Sequence, residues 1–196
     1  MKKWLSVAAL LAFAALPGRA QTTTWQVDPA HTNTQFAVKH LGISTVRGQF
    51  TKTTGQIQLD EKDVTKSQLD IVVDTTTLDT RVEGRDKDVK SANYLDVANF
   101  PTMTFKSKRI TAAGDGSLKL TGDLTIHGVT KQVVLDVVGP SAPFKDPRGN
   151  SHMGASATAT INRRDFGVGS IPSAVVGEDV AITIDMELVK ASAASH

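Results

Sequence analysis

The stretch DVAITIDMEL, residues 179–188, places Val180, Ile182, Ile184, Met186 and Leu188 at every second position. A helix would scatter these five side chains around its axis, whereas an extended strand puts them all on one face. The same period recurs along the chain. SQLDIVVD sets Leu69, Ile71 and Val73 against Gln68, Asp70 and Asp74. TMTFKSKRI sets Met103, Phe105 and Ser107 against Thr104, Lys106 and Lys108. SLKLTGDLTI aligns Leu118, Leu120, Gly122, Leu124 and Ile126. Apolar residues alternating with polar ones predict antiparallel sheets with one wet face. About eight such strands joined by short turns suit an up-and-down barrel or a sandwich. Between Val46, Gly48, Phe50 and the later pair Ile57, Leu59 the apolar parity switches, which predicts a bulge or bend at Thr54-Gly55.

Two segments break the alternation. Residues 81–101, RVEGRDKDVKSANYLDVANFP, are rich in charge, and the part from Arg85 to Tyr94 predicts a helix with Val89 and Ala92 turned inward. Phe100-Pro101 returns the chain to extended form. Residues 163–179, RRDFGVGSIPSAVVGED, hold a second short helix or a lid. Residues 141–152 read as the longest plain loop.

The N-terminus reads as a targeting segment. Lys2 and Lys3 precede the apolar run WLSVAALLAFAAL, too short for a comfortable membrane span, and Pro17, Gly18 and Ala20 follow. Residues 1–20 are therefore expected to be a cleaved secretory signal peptide, with Gln21 starting the mature protein. The chain has no cysteine, which excludes a lipoprotein anchor and any disulfide, so packing alone must stabilise an exported domain. Lys2, Lys3 and Arg19 belong to the signal; removing them from the chain's 22 basic residues leaves 19 against 20 acidic ones, a net charge of −1. No basic field remains for nucleic acid or an anionic membrane. Residues 21–196 fit one domain.

Reactive equipment is scarce. No serine sits in a G-x-S-x-G turn, and GVGSIP carries Pro172 where a dinucleotide loop needs its third glycine. His31, His40, His127, His152 and His196 form neither H-x-H nor H-E-x-x-H, so no metal site is assigned; one would require the fold to gather them. His127 lies beside a turn and is expected to stabilise that hairpin. No pair of carboxylates is marked as converging in a cleft.

One row raises a question. In HTNTQFAVKHLG, residues 31–42, Phe36 and Val38 share a face, and His40 is next in the same row. Either the strand leaves the core at His40, or the row lines a cavity that meets something polar there.

Three stretches bear on that question. VDPAHTNTQFAVKHLG followed by VRGQF, then RD followed by KSANYLD and FPTMTF, and then GDLTIHGVTK occur in an order that resembles the YceI-like polyisoprenoid-binding family, over about Trp25 to Leu188. The resemblance implies an all-β, lipocalin-like antiparallel β-barrel of about eight strands with one or two short helices. It implies a periplasmic protein that binds, transports or stores a long-chain isoprenoid or similar amphiphilic lipid inside the barrel. The family is not established as enzymatic, and several members are described only by stress-linked production. No catalytic residue and no cofactor is assigned; an isoprenoid, a quinone or a fatty-acid-like lipid is the expected cargo. The expected partner is an amphiphilic lipid, with a homodimer left open, and neither nucleic acid nor a stable membrane anchor. Two other readings stay open: a quinone-binding accessory of electron transport, and a lipid-processing enzyme using His40.

On that reading the apolar rows line a tube. Phe36, Val38, Phe50, Leu69, Ile71 and Phe105 are assigned to its wall. Residues 154–161 are thin, with Ala155, Ala157 and Ala159 on one parity and Ser156, Thr158 and Thr160 on the other. A solid core prefers larger side chains, so a strand this thin leaves volume for a ligand unless an aromatic from another strand fills it. A polar head group must stop at a mouth. His40, Arg47, Arg85 and Arg164 are assigned there, with Lys90 and Arg163 as further cations.

Overall fold

The computed structural model describes residues 22–192, and the expected signal segment lies outside them. Twelve runs of extended chain, β1 (Thr22–Val27), β2 (Asn33–His40), β3 (Ser44–Phe50), β4 (Thr53–Asp60), β5 (Gln68–Asp74), β6 (Leu78–Asp79), β7 (Thr102–Gly114), β8 (Ser117–Ile126), β9 (Val129–Val138), β10 (Phe144–Lys145), β11 (Ser151–Asn162) and β12 (Val176–Lys190), form one antiparallel sheet. It closes as an eight-stranded barrel, because β12 pairs with β11 on one edge and with β1 and β2 on the other. Its connectivity is up-and-down.

The count of eight holds because three barrel strands are broken in two and the two-residue β10 pairs only with β11, outside the closed ring. β1 and β2 lie end to end along the 15-residue β12: Val27 pairs with Leu188, and Asn33 pairs with Asp185. The intervening turn is fastened by Asp28 N–H donating to the Glu187 carbonyl at 2.9 Å. β4 and β3 follow in the same way beside β1 and β2, and β5 and β6 beside them. Each break bends the wall, as closure of a small barrel requires. The parity switch after Phe50 falls at Thr51-Lys52, not at Thr54-Gly55, which stay in regular register opposite Val72 and Ile71. At the break Thr34 and Thr53 are both buried and share a hydrogen bond of 2.9 Å between their hydroxyls.

Trp25, Val27, Ile57, Ile71, Met153 and Leu188 pack the barrel interior where β1 meets β4 and β12. Ile110, Leu118, Leu120 and Leu135 fill the long β7–β8–β9 side. Phe50, Leu78, Leu95, Ile126 and Phe166 form a third cluster toward the other end. β9 and β11 pair over only three residues, Asp136–Val138 with Ser156–Thr158. Beyond that short seam the chain turns into a 3₁₀ helix, Arg163–Phe166, whose Phe166 is 1% exposed and packs with Ile126 and Val129.

The one α-helix among the described residues, α1 (Glu83–Lys90), is shorter than expected and starts earlier. Val89 is half-buried as predicted, but Ala92 lies past the helix and is exposed; Leu95 supplies the buried contact instead. The charge pattern suits a short helix, with Glu83 and Asp86 in the first turn and Lys87 and Lys90 in the last. None of its residues is fully buried, so it is held largely by polar ties. Asp86 Oδ1 accepts the Thr80 N–H at 2.8 Å, and Arg85 donates from Nε to the Thr80 hydroxyl at 2.8 Å and from Nη2 to the Thr80 carbonyl at 2.7 Å. His127 and Gly128 make a two-residue turn between β8 and β9, both with positive φ (51° and 72°), as a type I′ hairpin needs. The His127 ring packs edge-on against Phe100, 4.6 Å between centroids.

Candidate functional site

The apolar rows of β2, β3 and β12 meet at one end of the barrel, and they do not fill it. A chamber of about 520 Å³ opens there, walled by Phe36, Val38, Val46, Phe50, Val180 and Ile182 and capped by α1 and the segment after Phe166. A smaller chamber of about 140 Å³ lies deeper, bounded by Leu69, Ile71, Phe105, Leu124, Leu135 and Ile184. The two have Thr34, Met103, Ile126, Ile161 and Ile182 in common, so they adjoin through a shared ring of side chains. Pockets of a few hundred cubic ångströms with apolar walls and few polar groups are the usual form of a small-molecule site.

Every wall residue named from the sequence borders one of these chambers. Phe36, Val38 and Phe50 face the outer one, with the Phe36 and Phe50 rings 5.9 Å apart. Leu69, Ile71 and Phe105 face the inner one. Ala155, Ala157 and Ala159 also line it, opposite Met186, Ile184 and Ile182 of β12. The thin strand therefore turns its alanines toward the open volume, while Thr158 and Thr160 are exposed.

The cations divide. His40 ends the β2 row, half-buried at the outer chamber, and Arg85 reaches the same chamber from α1. Arg47 does not. Val46 and Phe50 face inward, so Arg47 between them projects outward, where it is exposed beside Asp79 and Arg81. Arg164 is also exposed and outside the chamber; its Nη2 donates to the Ile171 carbonyl at 2.5 Å and its Nε lies 3.8 Å from Glu178. Lys90 lies on the outer side of α1.

Arg163 has a different role. It is 5% exposed and spends its guanidinium on five backbone carbonyls: Nε on Gly177, Nη1 on Val168 and Gly169, Nη2 on Ile171 and Val176, all at 2.7–2.9 Å. One side chain thus folds residues 168–177 over the chamber and satisfies carbonyls that burial would leave unpaired. Gly169, with φ of 72°, makes this possible; a Cβ there would lie 2.8 Å from the Tyr94 ring and 3.1 Å from Arg163 Nη1.

Sequence reasoning missed Tyr94, Asp88, Val168, Ile171 and Val175, all of which line the outer chamber. They fall in the two segments without period, where parity carries no directional information. Burial holds the Tyr94 phenol above its ordinary pKa, and the neighbouring Asp88 charge pushes the same way.

Comparison with known proteins places these features in a common frame. The family model for the YceI-like domain matches residues 25–188. A UPF0312 protein of Vibrio parahaemolyticus is 37% identical over 190 residues, 96% of each chain. The crystal structure of a Campylobacter jejuni YceI protein superposes with a TM-score of 0.70 at 28% identity, covering 79% of this chain and 90% of that one. A polyisoprenoid binding domain from Saccharophagus degradans, described as implicated in plant cell wall breakdown, shares the fold, with a TM-score of 0.65 at 12% identity over 86% of this chain and 99% of that one.

Proposed function

Because this chain belongs to the YceI-like domain family, we propose that it binds one long-chain isoprenoid or similar amphiphilic lipid and carries or stores it in the periplasm. The tail occupies the two adjoining chambers, and the head group stops at the outer one beside His40 and Arg85. The observation that carries this reading is the open apolar volume itself, about 520 Å³ continued by about 140 Å³, in a barrel whose other interior positions are packed. Each methylene moved from water into such a tube contributes about 0.8 kcal/mol, so affinity grows with the tail and needs little from the head. The fold shared with a domain described as polyisoprenoid-binding supports the same ligand class. Binding rather than catalysis is the role assigned, and no residue is given a bond-breaking step.

The experiment is native mass spectrometry of the protein purified from its own host, followed by lipid extraction. One lipid per chain with a long isoprenoid tail is the expected result, and its head group distinguishes a polyprenyl phosphate from a quinone. Protein that arrives lipid-free and takes up no added polyprenol overturns the reading. The periplasmic part has its own check: the intact mass of the exported form begins at Gln21, and retention of residues 1–20 contradicts it.

A further inference from the structure

Outside the chambers, the fold gathers a second group of functional side chains. The turn between β1 and β2 presents Asp28 and His31, and the outward-facing positions of β11 and β12 present His152 and Glu187. Asp28, His31 and Glu187 each offer a ligand atom, and these atoms lie within 4.8 Å of one another. Behind them stands a second tier. His152 Nδ1 is 2.7 Å from Glu187 Oε1, and its Nε2 is 3.2 Å from Asp146 Oδ2. Asp28 is itself fixed, with Oδ1 accepting the Ala30 N–H at 2.9 Å and Oδ2 2.8 Å from His31 Nδ1.

We propose that Asp28, His31 and Glu187 form a site for a divalent ion of the zinc class, with His152 and Asp146 as the residues that position Glu187. The donor set, one imidazole and two carboxylates, is one that zinc accepts, with the remaining positions left to water. Carboxylates and imidazoles hydrogen-bonded behind the ligands are the usual support of such a centre. Bonds to zinc run about 2.0–2.2 Å, so an ion draws the three atoms inward. His31, whose side chain is 65% exposed, has room to turn. Glu187 is firmly placed, since the turn grips its backbone from both sides: Glu187 N–H donates to the Thr32 hydroxyl at 3.2 Å, and Asp28 N–H donates to the Glu187 carbonyl. An ion here ties the β1–β2 break to β12 on the outer side of the barrel wall, while Met186, the residue before Glu187, borders the inner chamber from the other side.

The test uses untagged, chelator-treated protein titrated with zinc chloride in a calorimeter, and with cobalt chloride by visible absorption. Binding of one zinc per chain is expected, with a cobalt ligand-field band and a rise in the unfolding temperature on zinc addition. H31Q and E187Q each weaken zinc at least tenfold and remove the cobalt band. H152Q weakens zinc about tenfold to a hundredfold and shifts the cobalt spectrum without abolishing it, as expected of a positioning residue. H127Q, in the β8–β9 turn, retains wild-type affinity. D28N repeats the test should H31Q fold poorly, with circular dichroism checking each variant. No saturable zinc binding by the wild type, or wild-type zinc affinity in both H31Q and D28N, overturns the proposal. A network of hydrogen bonds alone gives that result.

Discussion

The ring of Phe105 on β7 lies over Gly122 on β8. A Cβ added at Gly122 would stand 2.7 Å from Phe105 Cε2 and 2.6 Å from the Lys106 carbonyl oxygen. The glycine is the space that the ring occupies at the wall of the inner chamber, and the backbone oxygen leaves the methyl no room to settle beside it.

G122A is therefore expected to destabilise the protein by about 1–3 kcal/mol, as overpacking does, and to push the Phe105 ring toward the open volume. Urea denaturation measures the first effect. An unchanged midpoint would contradict the close approach.

A157F is expected to fill the inner chamber, since Ala157 faces it from β11 opposite Ile184. Excluding three methylenes of a bound tail costs about 2.4 kcal/mol, or roughly fiftyfold in affinity. R85A removes a half-exposed cation at the mouth, where such an interaction is worth about 0–1 kcal/mol, and costs at most about fivefold. T158F projects outward and is mild. Lipid co-purifying with each variant from the native host reads the order. If R85A empties the protein while A157F stays loaded, binding is driven by the head group.

R163Q is expected to lower stability by at least about 2 kcal/mol and to expose residues 168–177 to protease. Five carbonyls lose a charged donor, and glutamine replaces only part of the fork. R163K rescues little, because an ammonium cannot reach a ring of acceptors as a planar guanidinium does. Equilibrium denaturation and limited proteolysis, read together, check this; wild-type behaviour of R163K would contradict it.

The same segment is expected to loosen in acid. Glu178 accepts hydrogen bonds from the Ser173 hydroxyl and, at 3.3 Å, from Asn162 Nδ2, and these hold its carboxyl below its ordinary pKa, Ser173 most strongly. A lowered folded-state value means that the contribution is fully present above the ordinary carboxylate pKa. It is lost as pH falls through the lower, folded one. Hydrogen exchange at Val175 and Val176, corrected for the intrinsic rate, should therefore speed up on acidification. E178Q should remove that dependence. Equal pH profiles for both proteins would contradict the clasp.

Alternation along β5, β7, β8, β11 and β12 was enough to predict strands and antiparallel pairing, because a period of two is a local property set by which face meets water. Together with the family resemblance it also named the chamber walls, from Phe36 to Ala159, but the assignment of Arg47 to the mouth went against the parity of β3, in which Val46 and Phe50 claim the inner face and Arg47 projects outward. The motifs quoted from the chain carried the family. Local pattern could not place the break at Thr51-Lys52, which serves barrel closure and not the sequence around it. Nor could it separate Arg163 from Arg164, adjacent residues of the same type, one buried against five carbonyls and the other exposed. The volume left inside depends on how opposite walls pack, and the meeting of His31 with Glu187 joins residues at the two ends of the chain through the pairing of β1, β2 and β12. Such contacts arise only when the barrel closes, because closure brings together side chains that no local rule relates.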